Sequence, residues 1–174
     1  MKRPKATWEK FDPSDIFAAL NAAQVKYLVV GGIAVILHGV NRFTWDVDLC
    51  VELTTDNLRR LEKALERIGF SRRVPAPIQG LADPATRQLW TAKRNMKVYS
   101  FIEHKGGQRV VDVMVKPLPD FNSVYQRRVT ARTWNTTVPL APLDVLIRMK
   151  EEAGREEDVR DVKALKRLGQ ARLR

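Results

Sequence analysis

Residues 27–52, YLVVGGIAVILHGVNRFTWDVDLCVE, decide the fold. An apolar strand from Val25 to Val30 ends at Gly31-Gly32, and a short apolar helix then reaches about His38. A loop holding Arg42 and Thr44 follows, and a second strand opens with Asp46-Val47-Asp48. Successive strand side chains point to opposite faces. Asp46, Asp48, Cys50 and Glu52 therefore share one face, while Trp45, Val47, Leu49, Val51 and Leu53 share the other, which is expected to be core. Two neighbouring carboxylates at the start of a strand repel each other and contribute nothing evident to folding. A divalent cation accounts for the pair, because Mg²⁺ takes a few carboxylates and completes its octahedron with substrate phosphates. Gly31 and Gly32 let backbone approach a ligand closely, and the N–H groups opening the next helix face a phosphate with the helix dipole behind them. Phosphate-holding backbone and metal-holding carboxylates converge on one place.

The chain has 174 residues, 44% of them hydrophobic, which suffices for one compact domain with its own core. The longest apolar run, Tyr27 to Leu37, is shorter than a membrane span, and the Met-Lys-Arg-Pro start lacks the apolar stretch of a signal peptide, so a cytosolic (cytoplasmic) protein with no membrane partner is expected. The single cysteine, Cys50, excludes an intrachain disulfide and a cysteine-based metal cluster, and its strand position points to packing. Lys and Arg number 31 against 20 Asp and Glu, a net charge of +11 that favours a polyanionic partner. The basic residues are dispersed, clustering at Lys2 to Lys5, Arg72-Arg73, Arg127-Arg128 and Lys163 to Arg174, so an ordinary soluble surface is the competing account.

Residues 1–11 form a basic lead-in, with Trp8 and Phe11 tucked onto the domain. Asp12 caps a helix with Pro13 at its first position and Ile16, Phe17, Leu20 and Ala23 on its inner side. Thr54 or Thr55 caps a second, with Leu58, Leu61, Leu65 and Ile68 inward and Gly69 at its end. Residues 71–82 read as a loop bordering the substrate cleft, followed by a short helix begun at Asp83-Pro84. Val98 to His104 and Arg109 to Val115 are strands of a hairpin turning at Lys105-Gly106-Gly107. Asp120 to Arg128 is a short helix, and Val129 to Leu140 one or two edge strands. Pro142 opens a helix that Gly154 breaks, a last helix follows Arg155, and Gly169 with the basic Gln170 to Arg174 tail finishes the chain.

Several side chains need chemistry or a partner. Asp112 interrupts Val110-Val111 and Val113-Met114-Val115, where an ionised carboxylate is costly without a cation. If its strand lies beside that of Asp46 and Asp48, three carboxylates meet at one edge; the alternative is an aspartate paired with an arginine or bonded to a loop. Leu143, Leu146, Ile147 and Lys150 share a helix stripe, so the ammonium either snorkels to water or reaches a triphosphate or an active-site carboxylate. Asp158, Asp161, Val162 and Leu165 also share a face, whereas Glu156 and Glu157 suit a helix start through the dipole. Asp161 is placed near a nucleotide or against Lys150 or Arg155. Arg42 can offer a guanidinium to a phosphate or pair with Asp46 or Asp48. His38 reads as a capping or packing residue, and Trp45 and Trp90 as core or cleft wall.

Gly31-Gly32, thirteen residues, Asp46-x-Asp48 and a later lone aspartate resemble the signature of the DNA polymerase β-like nucleotidyltransferase superfamily. Arg42-x-Thr44-x-Asp46-x-Asp48 and Lys150…Arg155-x-x-Asp158-x-x-Asp161 are similar to the bacterial branch that includes AbiEii-type and MenT-type toxins. The likeness spans roughly Val25 to Leu168 and departs at Gly32, where many minimal members carry serine, so backbone must bind phosphate here. The resemblance implies an α/β (α+β) fold with a mixed sheet flanked by helices, residues 1–140 forming the core and 141–174 a helical section packed on it. It further implies an NTP substrate, two Mg²⁺ (or Mn²⁺) ions on Asp46, Asp48 and Asp112, catalysis by these with Lys150, and nucleotide binding by Gly31, Gly32, Arg42, Thr44, Lys150, Arg155 and Asp161. The expected acceptor is RNA, such as a tRNA end, with an antitoxin as partner. Small-molecule or protein acceptors, and a non-catalytic nucleotide or RNA binder on the same fold, are the alternatives.

Overall fold

A computed structural model describes residues 11–104 and 109–172. Its elements are α1 (Ser14–Ala22), β1 (Tyr27–Val30), α2 (Gly31–His38), β2 (Asp46–Val51), α3 (Thr55–Arg67), β3 (Phe70–Arg72), a 3-10 turn (Ile78–Ala82), α4 (Pro84–Arg94), β4 (Val98–Glu103), β5 (Val110–Met114), α5 (Phe121–Gln126), β6 (Val129–Thr133), β7 (Thr136–Leu140), α6 (Leu143–Ala153) and α7 (Glu156–Arg172). The strands form one mixed sheet in the order β3-β4-β5-β2-β1-β7-β6. β2 runs parallel to β5 and β1 parallel to β7; the other pairs are antiparallel. The α/β class with a mixed sheet flanked by helices is as the sequence implied.

Alternation sorts the sheet into two faces. Val47, Val111 and Phe101 are register partners and fully buried, as are Leu49, Val113 and Tyr99. Trp90 of α4 stacks on Tyr99 at 6.1 Å, so α4, with the 3-10 turn, α3 and α1 packed in succession, covers this face. On the opposite face α2 lies over β1 and β2 and packs in turn on α6 and α7. Both faces of β2 are thus covered at its centre, which is why Cys50 is buried although it shares a face with Asp48. Buried Asn57 joins α3 to β1 by accepting from the Lys26 N–H and donating to the carbonyls of Lys26 and Glu52 at 2.9–3.0 Å.

Some local expectations are revised. α1 begins one residue later than expected, with Pro13 at the cap position, because the Asp12 carboxylate turns the chain by accepting from the Ser14 N–H at 2.8 Å. Within 71–82, expected to be loop, Ser71 and Arg72 belong to edge strand β3, and the Pro-Gly region holds the 3-10 turn. Gly169 and the start of the basic tail belong to α7. The glycine lies inside the helix where a Cβ would come within 3.3 Å of Leu143 Cδ2, so its small size serves the approach of α7 to α6. Trp45 is neither core nor wall: it is 52% exposed and meets Phe43 edge-on at 4.5 Å. Trp90 is buried, and Phe11 tucks in as expected. Trp8, the Lys105-Gly106-Gly107 turn and the last two residues lie outside the described residues.

Candidate active site

β1 delivers the glycines, β2 and β5 the carboxylates. Val30 pairs with Asp48, Asp48 with Asp112, and Asp112 with Ser100, so one line of residues crosses four strands on the face that carries α2. Gly31 follows Val30 with φ +63°, and a Cβ there would collide with the Asp48 carboxylate. A Cβ on Gly32 would stand 2.7 Å from Thr44 Oγ1. The two glycines are therefore required by the close approach of Asp48 and Thr44 to the backbone where α2 begins.

The carboxylates raise one another. Burial, then the charges of Asp112 and Asp46, push the Asp48 carboxyl up to about 6, against the opposing pull of Lys150 and Arg155. Asp112 is raised by burial and by Asp46, opposed by the Ser100 hydroxyl and by Arg73. Asp112 Oδ1 is buried without a hydrogen-bond partner, a condition native interiors rarely tolerate unless an ion or water completes it. Asp46 is exposed one pair further along, opposite Val110. Among the described residues no three acidic, histidine or cysteine side chains are gathered into a ready metal cage. The Asp48–Asp112 pair with Asp46 beside it fits Mg²⁺ or Mn²⁺ as a partial set of hard oxygen donors, of the kind that substrate phosphates complete.

Behind Asp48, α6 and α7 form a charged clasp. The buried Lys150 ammonium donates to Asp158 Oδ1 and pairs with Asp161 Oδ2, both at 2.8 Å. Asp158 also accepts from Arg155 Nε at 2.8 Å and from the Arg155 N–H at 3.2 Å, and these bonds with Lys150 overcome burial to hold its carboxyl below the usual range. Arg42, from the loop before β2, is bonded to Asp161 and reaches Glu157 at 3.6 Å. The clasp ties the Arg42–Thr44 loop to α7.

No family model and no curated protein matches the sequence, but solved structures do. The lincosamide antibiotic adenylyltransferase LnuA, in a lincomycin-bound crystal structure, matches 91% of this chain and 98% of its own with a TM-score of 0.58 at 16% identity. The chain has the nucleotidyltransferase fold. A putative nucleotidyltransferase from Thermotoga maritima matches over 94% of both chains with a TM-score of 0.55 at 15% identity. ANT(2″)-Ia, in complex with adenylyl-2″-tobramycin, matches over 87% of this chain and 83% of that one with a TM-score of 0.55 at 14% identity.

Against that fold, the sequence-derived residues divide into two groups. Gly31, Gly32, Thr44, Asp46, Asp48 and Asp112 gather at the β1–β2–β5 ends. Lys150, Arg155, Asp161 and Arg42 gather in the clasp, with the charges of Lys150 and Arg155 felt at Asp48. Arg42 pairs with Asp161 and Glu157 rather than with Asp46 or Asp48, and Lys150 does not snorkel to water. His38 packs, with Nε2 donating to the Ala141 carbonyl at 2.9 Å. Sequence reasoning did not set Ser100 beside the carboxylates and named Arg73 only within a basic cluster. The signal for Ser100 was a small polar residue at the centre of VYSFIE; Arg73 required knowing that β3 exists.

Proposed function

We propose that this protein is a metal-dependent nucleotidyltransferase that moves a nucleoside monophosphate from an NTP to an acceptor hydroxyl. The observation that carries the reading is the pairing of Asp48 with Asp112 on adjacent parallel strands, held against Gly31 at the start of α2 at a cost to the fold. Asp46, Asp48 and Asp112 would hold two Mg²⁺ or Mn²⁺ ions, which when bound stabilise the attacking and leaving oxygens of an in-line displacement. Backbone N–H groups of Gly31 and Gly32 at the α2 N-terminus bind phosphate oxygens, with the Thr44 hydroxyl beside them. Arg42 and Arg155, oriented by Asp161 and Asp158, face the triphosphate, while buried Lys150 fixes both acids and adds positive potential near Asp48. Asp112, whose carboxyl is raised by burial and by Asp46, accepts the acceptor's proton. The acceptor oxygen bonds to the α-phosphorus, the α–β anhydride bond breaks, and its electron pair leaves with pyrophosphate.

The acceptor reading is RNA, in the manner of AbiEii-type or MenT-type toxins restrained by an antitoxin; the net charge of +11 supports a polyanion. A small-molecule hydroxyl is the second reading, favoured by fold neighbours captured with lincomycin and with adenylyl-2″-tobramycin. Incubation with each α-³²P ribonucleoside triphosphate and Mg²⁺, followed by fractionation into RNA, protein and small molecules, separates these outcomes. Label confined to RNA supports the first reading and label in a small molecule the second. Absence of label from every fraction, with NTP still bound, would leave a nucleotide-binding protein without transfer.

A further inference from the structure

The line of residues through the carboxylates continues past Asp112. Ser100 pairs with Asp112, and the Arg73 N–H donates to the Ser100 carbonyl at 2.9 Å, which extends the β3–β4 register by one residue and sets Arg73, Ser100, Asp112 and Asp48 across four neighbouring chain segments. On this side α2 covers β1 and β2, but on β4 and β5 every outward residue is half-exposed: Val98, Ser100, Ile102, Val110, Asp112 and Met114. Their neighbours Tyr99, Phe101, Val111 and Val113 on the opposite face are fully buried. Among the described residues, the β4–β5 part of this face is thus only partly covered beside Asp112, on the side away from Gly31.

Charge marks what this face receives. Arg72 is already paired with Glu62 at 3.6 Å. Arg73 is exposed and forms no ion pair among the described residues. Its place opposite Ser100 sets the Arg73 side chain on the same face as Ser100 and Asp112.

We propose that the open β4–β5 face is the bed of the acceptor, and that Arg73 binds a backbone phosphate of single-stranded RNA whose terminal hydroxyl reaches Asp112. The inference rests on the nucleotidyl-transfer reading and names its acceptor class. A guanidinium suits a phosphodiester, whose two free oxygens match its fork of donors, and the half-exposed aliphatic row gives ribose and base an apolar surface. A neutral small acceptor has no use for Arg73.

The test is the binding of a fluorescent single-stranded oligoribonucleotide to the full chain without NTP, followed by anisotropy across a salt series. Wild type, Arg73→Ala, Arg73→Lys and Arg72→Ala are compared. Arg73→Ala is expected to weaken binding about tenfold, the effect of one contact of about 1.4 kcal/mol. It should also reduce the slope of log K against log salt by about 0.7, the value for one phosphate contact on a single strand. Arg73→Lys should keep the slope, and Arg72→Ala should change affinity less than about twofold because Glu62 already engages it. In turnover, the KM for the oligonucleotide should rise with Arg73→Ala while that for NTP does not. An unchanged slope in Arg73→Ala, or no salt-dependent binding by wild type, overturns the proposal. Arg73-dependent binding without any label transfer overturns the catalytic reading, and with it the acceptor role, leaving only an RNA contact at Arg73; transfer to a neutral small acceptor, indifferent to Arg73, overturns this proposal and leaves the catalytic reading standing.

Discussion

The Asp48 carboxyl lies between Gly31 and Asp112 with Lys150 and Arg155 behind it, and its raised value of about 6 has a definite consequence for stability. A carboxyl whose folded value exceeds the ordinary 3.8 binds its proton more tightly when folded, so metal-free stability falls as pH rises from about 4 through about 6. At about 1.4 kcal/mol per pH unit, the loss is bounded at about 3 kcal/mol. Asp48→Asn should therefore remove transfer and at the same time raise the melting temperature of the metal-free protein at pH 8, with a flatter profile between pH 4 and 6. A variant that melts lower than wild type at pH 8 would show that Asp48 is a structural group. Gly31→Ala works the other way: left-handed backbone and collision with Asp48 together should destabilise by about 2–4 kcal/mol in urea unfolding. Combining it with Asp48→Gly, which removes the Cβ at 2.8 Å as well as the carboxylate, should recover the collision part; no recovery would mean that the φ of +63° alone sets the requirement for glycine.

At the scale of elements, α6 and α7 hold their relation to the site through Lys150. Its removal leaves buried Asp158 to Arg155 alone and Asp161 to Arg42 alone, so Lys150→Met is expected to lower the unfolding free energy by about 2–3 kcal/mol. A change below about 1 kcal/mol in urea titration would show that the clasp is not built on this ammonium. Strands and helices with a strong period were legible in the sequence: β2 and β5 each set one or two acids into an apolar alternation, and α3, α4 and α6 carry clear starts. β3 was not legible, because three residues, Phe70-Ser71-Arg72, are too few to show alternation and owe their strand state to pairing with β4. The role of Gly169 was not legible, because its constraint is the distance to Leu143 across the α6–α7 contact. The acids of α7 were legible as inward-facing, and Asp161 as a partner of Lys150; its pairing with Arg42 depends on how α7 docks against the loop before β2, which no local pattern encodes.

For the whole molecule, no helix among the described residues is long and apolar enough to cross a membrane, and the mixed sheet brings the Gly31 end of β1 together with β2 and β5. A cation bound at those ends must relieve the repulsion among Asp46, Asp48 and Asp112. Mn²⁺ or Mg²⁺ should then raise the melting temperature of wild type by several degrees at pH 8, and less at pH 5, where Asp48 is largely protonated. It should not do so in the Asp48→Asn/Asp112→Asn double variant; an equal shift there would place the ion elsewhere. The central claim, that these carboxylates drive nucleotidyl transfer, is tested most directly by Mg²⁺-dependent pyrophosphate release from NTP in the presence of total RNA and small-molecule extract. Wild type is compared with Asp48→Asn and Asp112→Asn, both confirmed as folded. The account predicts release by wild type alone, falling at least a hundredfold in either variant as removal of an essential charge group requires. Equal release by all three proteins would contradict it.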